Sequence, residues 1–330
     1  MSAEAAAGTA RIFFREAIAR ALAEEMARDP RLLVLGQDVG AFGGSYKEFT
    51  GLHARFGDDR VRDMPVAEAG MVGVGVGAAA LGHRTLVSIT YMDFLMLALD
   101  PLVNYAAKAR FKTGGRLRVP IVVKTTAGAK GQGVAHSQCI EAWMMGVPGL
   151  TVLAPSTPAD AYGLLKAALR HDGPVVFIDH KRLFPKSGEV PLADHVLPIG
   201  AACVVRAGTD VTVTSHGYMV HIALEAAERL QAEAGISAEV IDLRSLAPLD
   251  TGTIAASVAR TGAIVTLEEG QLTCGVGSEI CFRLGEIMGR MPRAARVGPL
   301  AAPVSSNPVL EGECLPDAAR LVAAVRKLLE

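Results

Sequence analysis

Apolar side chains recur along the chain in two alternating rhythms. Ile18, Leu22 and Met26 stand every fourth residue, with Ala17 and Ala21 beside them, which predicts a helix over 15–28. Asp29-Pro30 ends it, because the residue before a proline avoids the helical region. A short apolar run over 31–35 reads as a strand and opens into the glycine-rich stretch GQDVGAFGGSY. Short β-branched runs at 61–63, 85–90, 119–125, 151–154 and 174–179 read as further strands. Between them lie helical patterns: one from about Glu68 after Pro65, one over 93–110 (Leu95, Leu99, Leu102, Val103), one for which Ser137 is a fair N-cap, and one over 159–170. Pro185, Pro191 and Pro198 then punctuate 181–200, after which the alternation resumes. Strands are expected at 201–205, 211–215, 238–243 and 263–267, and helices at 220–233, 253–259 and 278–288. A proline-rich stretch over 298–308 precedes a last helix over 317–329. Such alternation makes parallel sheets covered on both faces, an α/β fold. The expected organisation is a flexible tail over 1–10, an α/β domain over 11–184, a linker over 185–200 and a smaller α/β domain over 201–330. Ligands of such sheets bind beyond the carboxyl ends of the strands. Glu68, the loop before His136 and the GQDVGAFGG loop all fall in strand-to-helix connections.

Composition narrows the function. The chain has 330 residues, 50% of them hydrophobic, which suffices for two cores. Charged residues make up 20% and the formal net charge is -1, so no basic excess favours nucleic acid or an anionic membrane. The five cysteines are scattered without a C-x-x-C pair, which argues against zinc and disulfide frameworks and suits a reducing cytoplasm. The opening MSAEAAAGTA lacks the features of a signal peptide. The longest apolar runs, 71–82 and 94–99, fall short of the roughly 20 residues that span a bilayer.

Candidate chemistry centres on VRDMPVAEAGMVGVGVGAAALG, residues 61–82. Glu68 is the one acid between Asp63 and Arg84 and has few solvating neighbours, which suits a group that holds or shares a proton. Acids also favour the first turn of a helix, so a helix-end role stays open. Gly75-x-Gly77-x-x-Ala80 imitates a dinucleotide fingerprint, but no strand directly precedes it and no acid ends the next strand. Close helix packing explains those glycines better. His136 stands alone in a glycine-rich loop, either as a proton donor and acceptor or as an exposed histidine. Tyr91 and Phe94 lie near a strand end, where an aromatic ring stacks on a flat cofactor or fills the core. Glu268-Glu269 is either functional or a solvated turn. No phosphate-binding loop, nucleophile elbow or metal-ligand spacing is present.

Several stretches in order and spacing carry a resemblance: DMPVAEAG, LVNYAAKARFKTGG, VAHSQCIEAW, PGLTVLAPSTPADAYGLLKAALR and DLRSLAPLD. Through them the chain resembles the beta subunit of the thiamine-diphosphate-dependent 2-oxo acid dehydrogenases, the decarboxylating components of the pyruvate, branched-chain 2-oxo acid and acetoin dehydrogenase complexes. The resemblance implies a pyrimidine-type thiamine-diphosphate-binding domain followed by a transketolase-like C-terminal domain. On it, Glu68 matches the glutamate that hydrogen-bonds the cofactor's aminopyrimidine. Phe94 matches the aromatic that packs on that ring, and His136 the histidine near the substrate implicated in transfer to lipoamide. The GDG…N motif for the diphosphate and its Mg2+ is missing here and belongs to the family's alpha subunit. The resemblance therefore implies a heterotetramer of two alpha and two beta chains, a small 2-oxo acid substrate, and docking to a lipoyl acyltransferase core.

Some members also bind K+ in a structural loop, whose positions match Ile121, Ala168, Leu169, His171 and Gly173. The usual acidic and amide side chains are replaced at His171 and Gly173. Ser88 stands where an acid is common and Gly146 where a histidine is common. Two other readings stay beside the main one: a split transketolase-like ketol transferase, and a non-catalytic subunit of the same fold.

Overall fold

The computed structural model describes residues 8–330. Residues 1–7 of the expected tail lie outside the described residues. The chain forms two compact units. One runs to Thr126 and resumes at Val147–Ile199; the other takes Ala127–Gly146 and Gly200–Glu330.

The first unit contains β1 (Thr9–Phe13), α1 (Phe14–Arg28), β2 (Leu32–Gly36), α2 (Leu52–Phe56), β3 (Val61–Asp63), α3 (Glu68–Ala80), β4 (Arg84–Ile89), α4 (Met92–Leu95), α5 (Ala107–Lys112) and β5 (Ile121–Ala127). After the excursion α6 (Glu141–Met145) it adds β6 (Thr151–Leu153), α7 (Pro158–Arg170), β7 (Val175–His180) and β8 (Ser187–Pro191). Its main sheet runs in the order β6-β7-β5-β4-β2-β3. The pairs β2–β3, β2–β4, β4–β5 and β6–β7 are parallel, with Val34 opposite Leu86 and Leu86 opposite Val122. Every residue of β5 and β7 is buried, as expected of parallel strands covered on both faces. Helices α1 and α7 pack on each other, and α3 lies on β4.

The second unit continues with β9 (Cys203–Arg206), β10 (Val211–Ser215), α8 (Met219–Ala234), β11 (Ala238–Asp242), β12 (Ser245–Ala247), α9 (Thr251–Thr261), β13 (Ala263–Leu267), α10 (Val276–Met288), β14 (Arg293–Val297), α11 (Pro308–Cys314) and α12 (Ala318–Leu329). Its sheet runs β14-β13-β10-β11-β9, with only β9 antiparallel to its neighbour. Val211, Val213, Val240 and Val265 of the sheet form a core with Ala223 and Leu230 of α8 and Leu321 and Val325 of α12.

The structure corrects several expectations. Residues 9 and 10 are not tail: β1 pairs antiparallel with β8, Thr9 opposite Pro191, so part of the expected linker is strand as well. The helix expected over 93–110 is broken into α4, a 3-10 turn (Met96–Ala98), a π-helical turn (Asp100–Ala106) and α5. Pro101 is the physical reason, since it lacks an N–H and its ring crowds the preceding turn. The helix expected to be capped by Ser137 begins at Glu141, with Ile140 as N-cap. Helix α11 falls beside the expected proline-rich loop. Its start is an Asn307 side chain accepting from the Val309 and Leu310 N–H groups, followed by Pro308.

Candidate active site

Glu68 is the first residue of α3 and only 5% exposed. The Asp63–Glu68 connection leaves the carboxyl end of β3, while Gln37 follows the end of β2, and Gly36 and Asp63 pair in register. The Gln37 side-chain amide donates to Glu68 Oε1 at 3.3 Å. Met64 N–H donates to Gly36 O at 2.8 Å and fixes the start of the connection. The N-cap is Ala67, which has no side-chain oxygen. Glu68 thus does sit in a first turn, where the helix dipole favours an acid, and it is buried with an amide partner as well.

Phe94 lies on α4, just past the carboxyl end of β4, and is half-buried. Its ring meets Tyr91 edge-on at 5.9 Å between centroids. Lys181 Nζ stands 5.0 Å from the centre of the Tyr91 ring. Gln37, Glu68 and Phe94 therefore leave one edge of one sheet, from the ends of three neighbouring strands in the order β4-β2-β3.

The same sheet holds a buried cation. Lys124 of β5 is fully buried and pairs with Asp179 of β7 at 2.8 Å and with Glu48 at 3.1 Å. Burial opposes its charge, but the two carboxylates outweigh burial and push the amine above its ordinary value. Glu48 also accepts from Tyr46 N–H at 3.0 Å. Gly40 N–H donates to Asp63 at 2.7 Å, and a Cβ on Gly40 would come within 2.6 Å of that carboxylate. The glycines of GQDVGAFGG thus let backbone approach carboxylates, while Gly73, Gly75 and Gly77 lie inside α3 and form no loop.

His136 belongs to the second unit, in the irregular loop 128–140, and is half-buried. Buried side chains from distant parts of the second unit tie the loop and its far end. Ala129 N–H donates to Glu269 Oε1 at 2.7 Å, Gly131 N–H to Glu311 Oε2 at 2.6 Å, and Glu141 Oε1 pairs with His216 Nε2 at 2.8 Å. All four side chains are buried. A cavity of about 570 Å³ lies under the loop, lined by Val134, Ser137, Ile140, Pro299 and Val304 among others. Glu268-Glu269 is not a solvated turn. Glu268 accepts from Val276 and Gly277 N–H at the start of α10, at 2.9 and 3.0 Å, and burial pushes its carboxyl up despite those donors. Gln37, Lys124 and Glu311 escaped the sequence reading, and the tie from Glu269 to the loop was not foreseen. Only Glu311 had a signal, the Asn-Pro start of its helix.

Two of the five positions matched to a K+ loop, Leu169 and His171, are bonded to a cation of the chain itself. Arg84 Nη1 donates to Leu169 O at 3.1 Å and to His171 O at 2.8 Å, and Arg84 Nη2 to Asp172 at 2.9 Å. Ala168 O accepts from His171 N–H at 3.2 Å. The Ile121 side chain approaches Gly75 of α3, and a Cβ on Gly173 would meet the His171 ring at 3.1 Å. Burial, with Arg84 and Arg110 nearby, holds the His171 imidazole below its ordinary value, against the pull of Asp172. The guanidinium charge on the Leu169 and His171 carbonyls opposes a K+ ion beside them. Among the described residues no group of three or more His, Cys, Asp or Glu side chains is arranged to hold a metal ion. No helix of the described residues is long and apolar enough to cross a membrane.

Fold and site together define a transketolase-type chain. The transketolase pyrimidine-binding domain family matches residues 10–186 and the transketolase C-terminal domain family residues 200–321. A solved split-gene transketolase, an inactive beta4 tetramer, superposes with TM-score 0.81 at 28% identity, covering 96% of this chain and 98% of that one. The mitochondrial pyruvate dehydrogenase E1 component subunit beta-1 of Oryza sativa is 49% identical over 82% of this chain and 74% of its own length. The 2-oxoisovalerate dehydrogenase subunit beta of Bacillus subtilis is 41% identical over 96% and 98%. The chain belongs to the family of 2-oxo acid dehydrogenase E1 beta subunits, a thiamine-diphosphate-dependent family.

Proposed function

We propose that this chain is the beta half of a 2-oxo acid dehydrogenase that decarboxylates its substrate and passes the acyl group to a lipoyl acceptor. One observation carries the reading. Glu68, in a chain of this family, is a buried carboxylate at the start of a helix, beyond the carboxyl ends of parallel strands. Thiamine diphosphate, when bound, supplies an electron sink for loss of carbon dioxide. Glu68 would hold the proton shared with the aminopyrimidine. The Gln37 amide fixes its rotamer, and the buried setting keeps water from competing for that proton. Phe94 would offer its ring to the pyrimidine face, braced edge-on by Tyr91. His136 would act on the acyl group at its delivery.

The diphosphate and its Mg2+ are assigned to an alpha subunit, because this chain carries no motif for them. The assembly proposed is a heterotetramer of two alpha and two beta chains, served by a lipoyl acyltransferase core. Potassium is left out of the reading, with the Arg84 guanidinium taking its place on the 169–171 backbone. No disulfide joins any of the five cysteines, which suits a reducing compartment such as the cytoplasm.

The test is Glu68→Gln in the enzyme reconstituted with its alpha partner, thiamine diphosphate and Mg2+. Turnover on 2-oxo acids should fall by about 10²-fold or more while assembly, read by size-exclusion, survives. An unchanged rate would sink the role given to Glu68.

A further inference from the structure

Loop 128–140 is itself neither helix nor strand, and Gly128, Gly131 and Gly133 all take left-handed φ (89°, 75° and 76°). Glycine backbone of that kind has many alternatives open to it, so ties to the rest of the unit narrow the loop's shape. The ties come from residues far along the chain. Glu269 follows β13, Glu311 stands on α11, and His216 follows β10. Glu269 and Glu311 each accept from a loop N–H, and bonds to a carboxylate are about twice as strong as neutral ones. Glu141 begins α6 at the loop's far end and is held there by His216. Between the ties, Gly133 lies against Ser306, where an added Cβ would approach to 3.2 Å. His136 sits three residues on, its N–H donating to Gly133 O.

We propose that Glu269 and Glu311, with the Glu141–His216 pair, are positioning residues that shape this loop so that it presents His136 to the second half-reaction. The proposal rests on the function given above. In that half-reaction the lipoyl disulfide is cleaved. One sulfur bonds the acyl carbon, whose bond to the cofactor breaks as its hydroxyl gives up a proton and becomes the carbonyl; the other sulfur takes a proton, and the two electrons that cleave the disulfide are those left when carbon dioxide departs. His136 is the group placed to supply the proton. The carboxylates touch neither substrate nor cofactor in this role; they fix the backbone from which His136 projects.

The test uses the enzyme reconstituted with its alpha partner and two assays: carbon dioxide release with ferricyanide as electron acceptor, and turnover with free lipoamide. Glu269→Ala and Glu311→Ala should lower lipoamide turnover roughly tenfold or more, as a small misplacement of a reacting group does. Ferricyanide-coupled release should stay within about twofold. His136→Gln should lower lipoamide turnover at least as far. Glu269→Gln and Glu311→Gln keep a carbonyl acceptor and should restore most of the turnover. Amide exchange at Ala129 and Gly131 should quicken in the alanine variants and recover in the glutamine ones. Wild-type lipoamide turnover in Glu269→Ala and Glu311→Ala, with His136→Gln still impaired, overturns the proposal and leaves the role of His136 standing. Equal loss in both assays marks general loss of structure and also overturns it. If His136→Gln itself leaves lipoamide turnover unchanged, the role of His136 falls and the positioning role falls with it.

Discussion

Glu68 and His136 are presented by opposite means. Glu68 stands on regular structure: the end of one strand, the start of a helix, and an amide from the next strand's end. In the same sheet, a buried lysine of β5 gathers two carboxylates, one of them on β7. His136 stands on irregular backbone, and there buried carboxylates gather backbone N–H groups instead. The first arrangement takes its precision from secondary structure. The second takes it from polar ties made by residues 140 and 180 positions away in sequence.

The largest effect expected is at the buried cation in the sheet of the first region. Lys124→Met leaves Glu48 and Asp179 buried without their partner and should destabilise the chain by about 3–5 kcal/mol in urea unfolding. A change under about 1 kcal/mol would mean the sheet does not depend on that cation. Next comes the seat of α3. A Cβ on Gly75 would lie 2.6 Å from Val87 Cγ2 and 3.0 Å from Ile121 Cδ1, whereas Gly73 and Gly77 face open space. Gly75→Ala should cost about 1–3 kcal/mol by overpacking, while Gly73→Ala should be neutral or gain up to about 1 kcal/mol. Equal responses would remove the distinction between the two faces of the helix.

In the second region Asn307→Ala removes the cap of α11 and should cost about 1 kcal/mol. It should also quicken exchange at Gly131, whose partner Glu311 rides on that helix. A smaller effect is expected from pH. Burial opposes the charge of His216, but its bond to Glu141 and the charges of Glu141, Glu268 and Asp242 outweigh burial and raise its pKa. A raised group contributes fully below its unfolded value near 6.5 and loses that contribution as pH rises through its folded value. Burial pushes Glu268 up as well, which acts in the same direction. The stability difference between wild type and His216→Gln should therefore shrink from mildly acidic to alkaline pH; a constant difference would show that the imidazole is not charged in the fold. No effect at all is expected from replacing choline chloride by potassium chloride at equal ionic strength, read as Tm. A saturable, potassium-specific rise would show that Arg84 does not take the ion's place.

What the sequence revealed follows the same division. The alternation of periods 2 and 3.6 made the parallel α/β fold readable, and Glu68 stood out because local pattern builds its surroundings. Helix breaks at Pro101 and the Asn307-Pro308 start were written in the sequence but masked by the apolar pattern on one side and a run of prolines on the other. The ties of Glu269 to Ala129 and of Glu311 to Gly131 could not be read, because no periodicity links a loop amide to a carboxylate on a distant element. Arg84 was hidden for the same reason, as its partners are backbone carbonyls at Leu169 and His171.

The most direct test is carbon dioxide released by the reconstituted pair, offered pyruvate, branched 2-oxo acids and sugar phosphates in turn, with ferricyanide as acceptor. Release from at least one 2-oxo acid, lost with Glu68→Gln, is the result expected. No release from any 2-oxo acid, with two-carbon units moving between sugar phosphates instead, would contradict it.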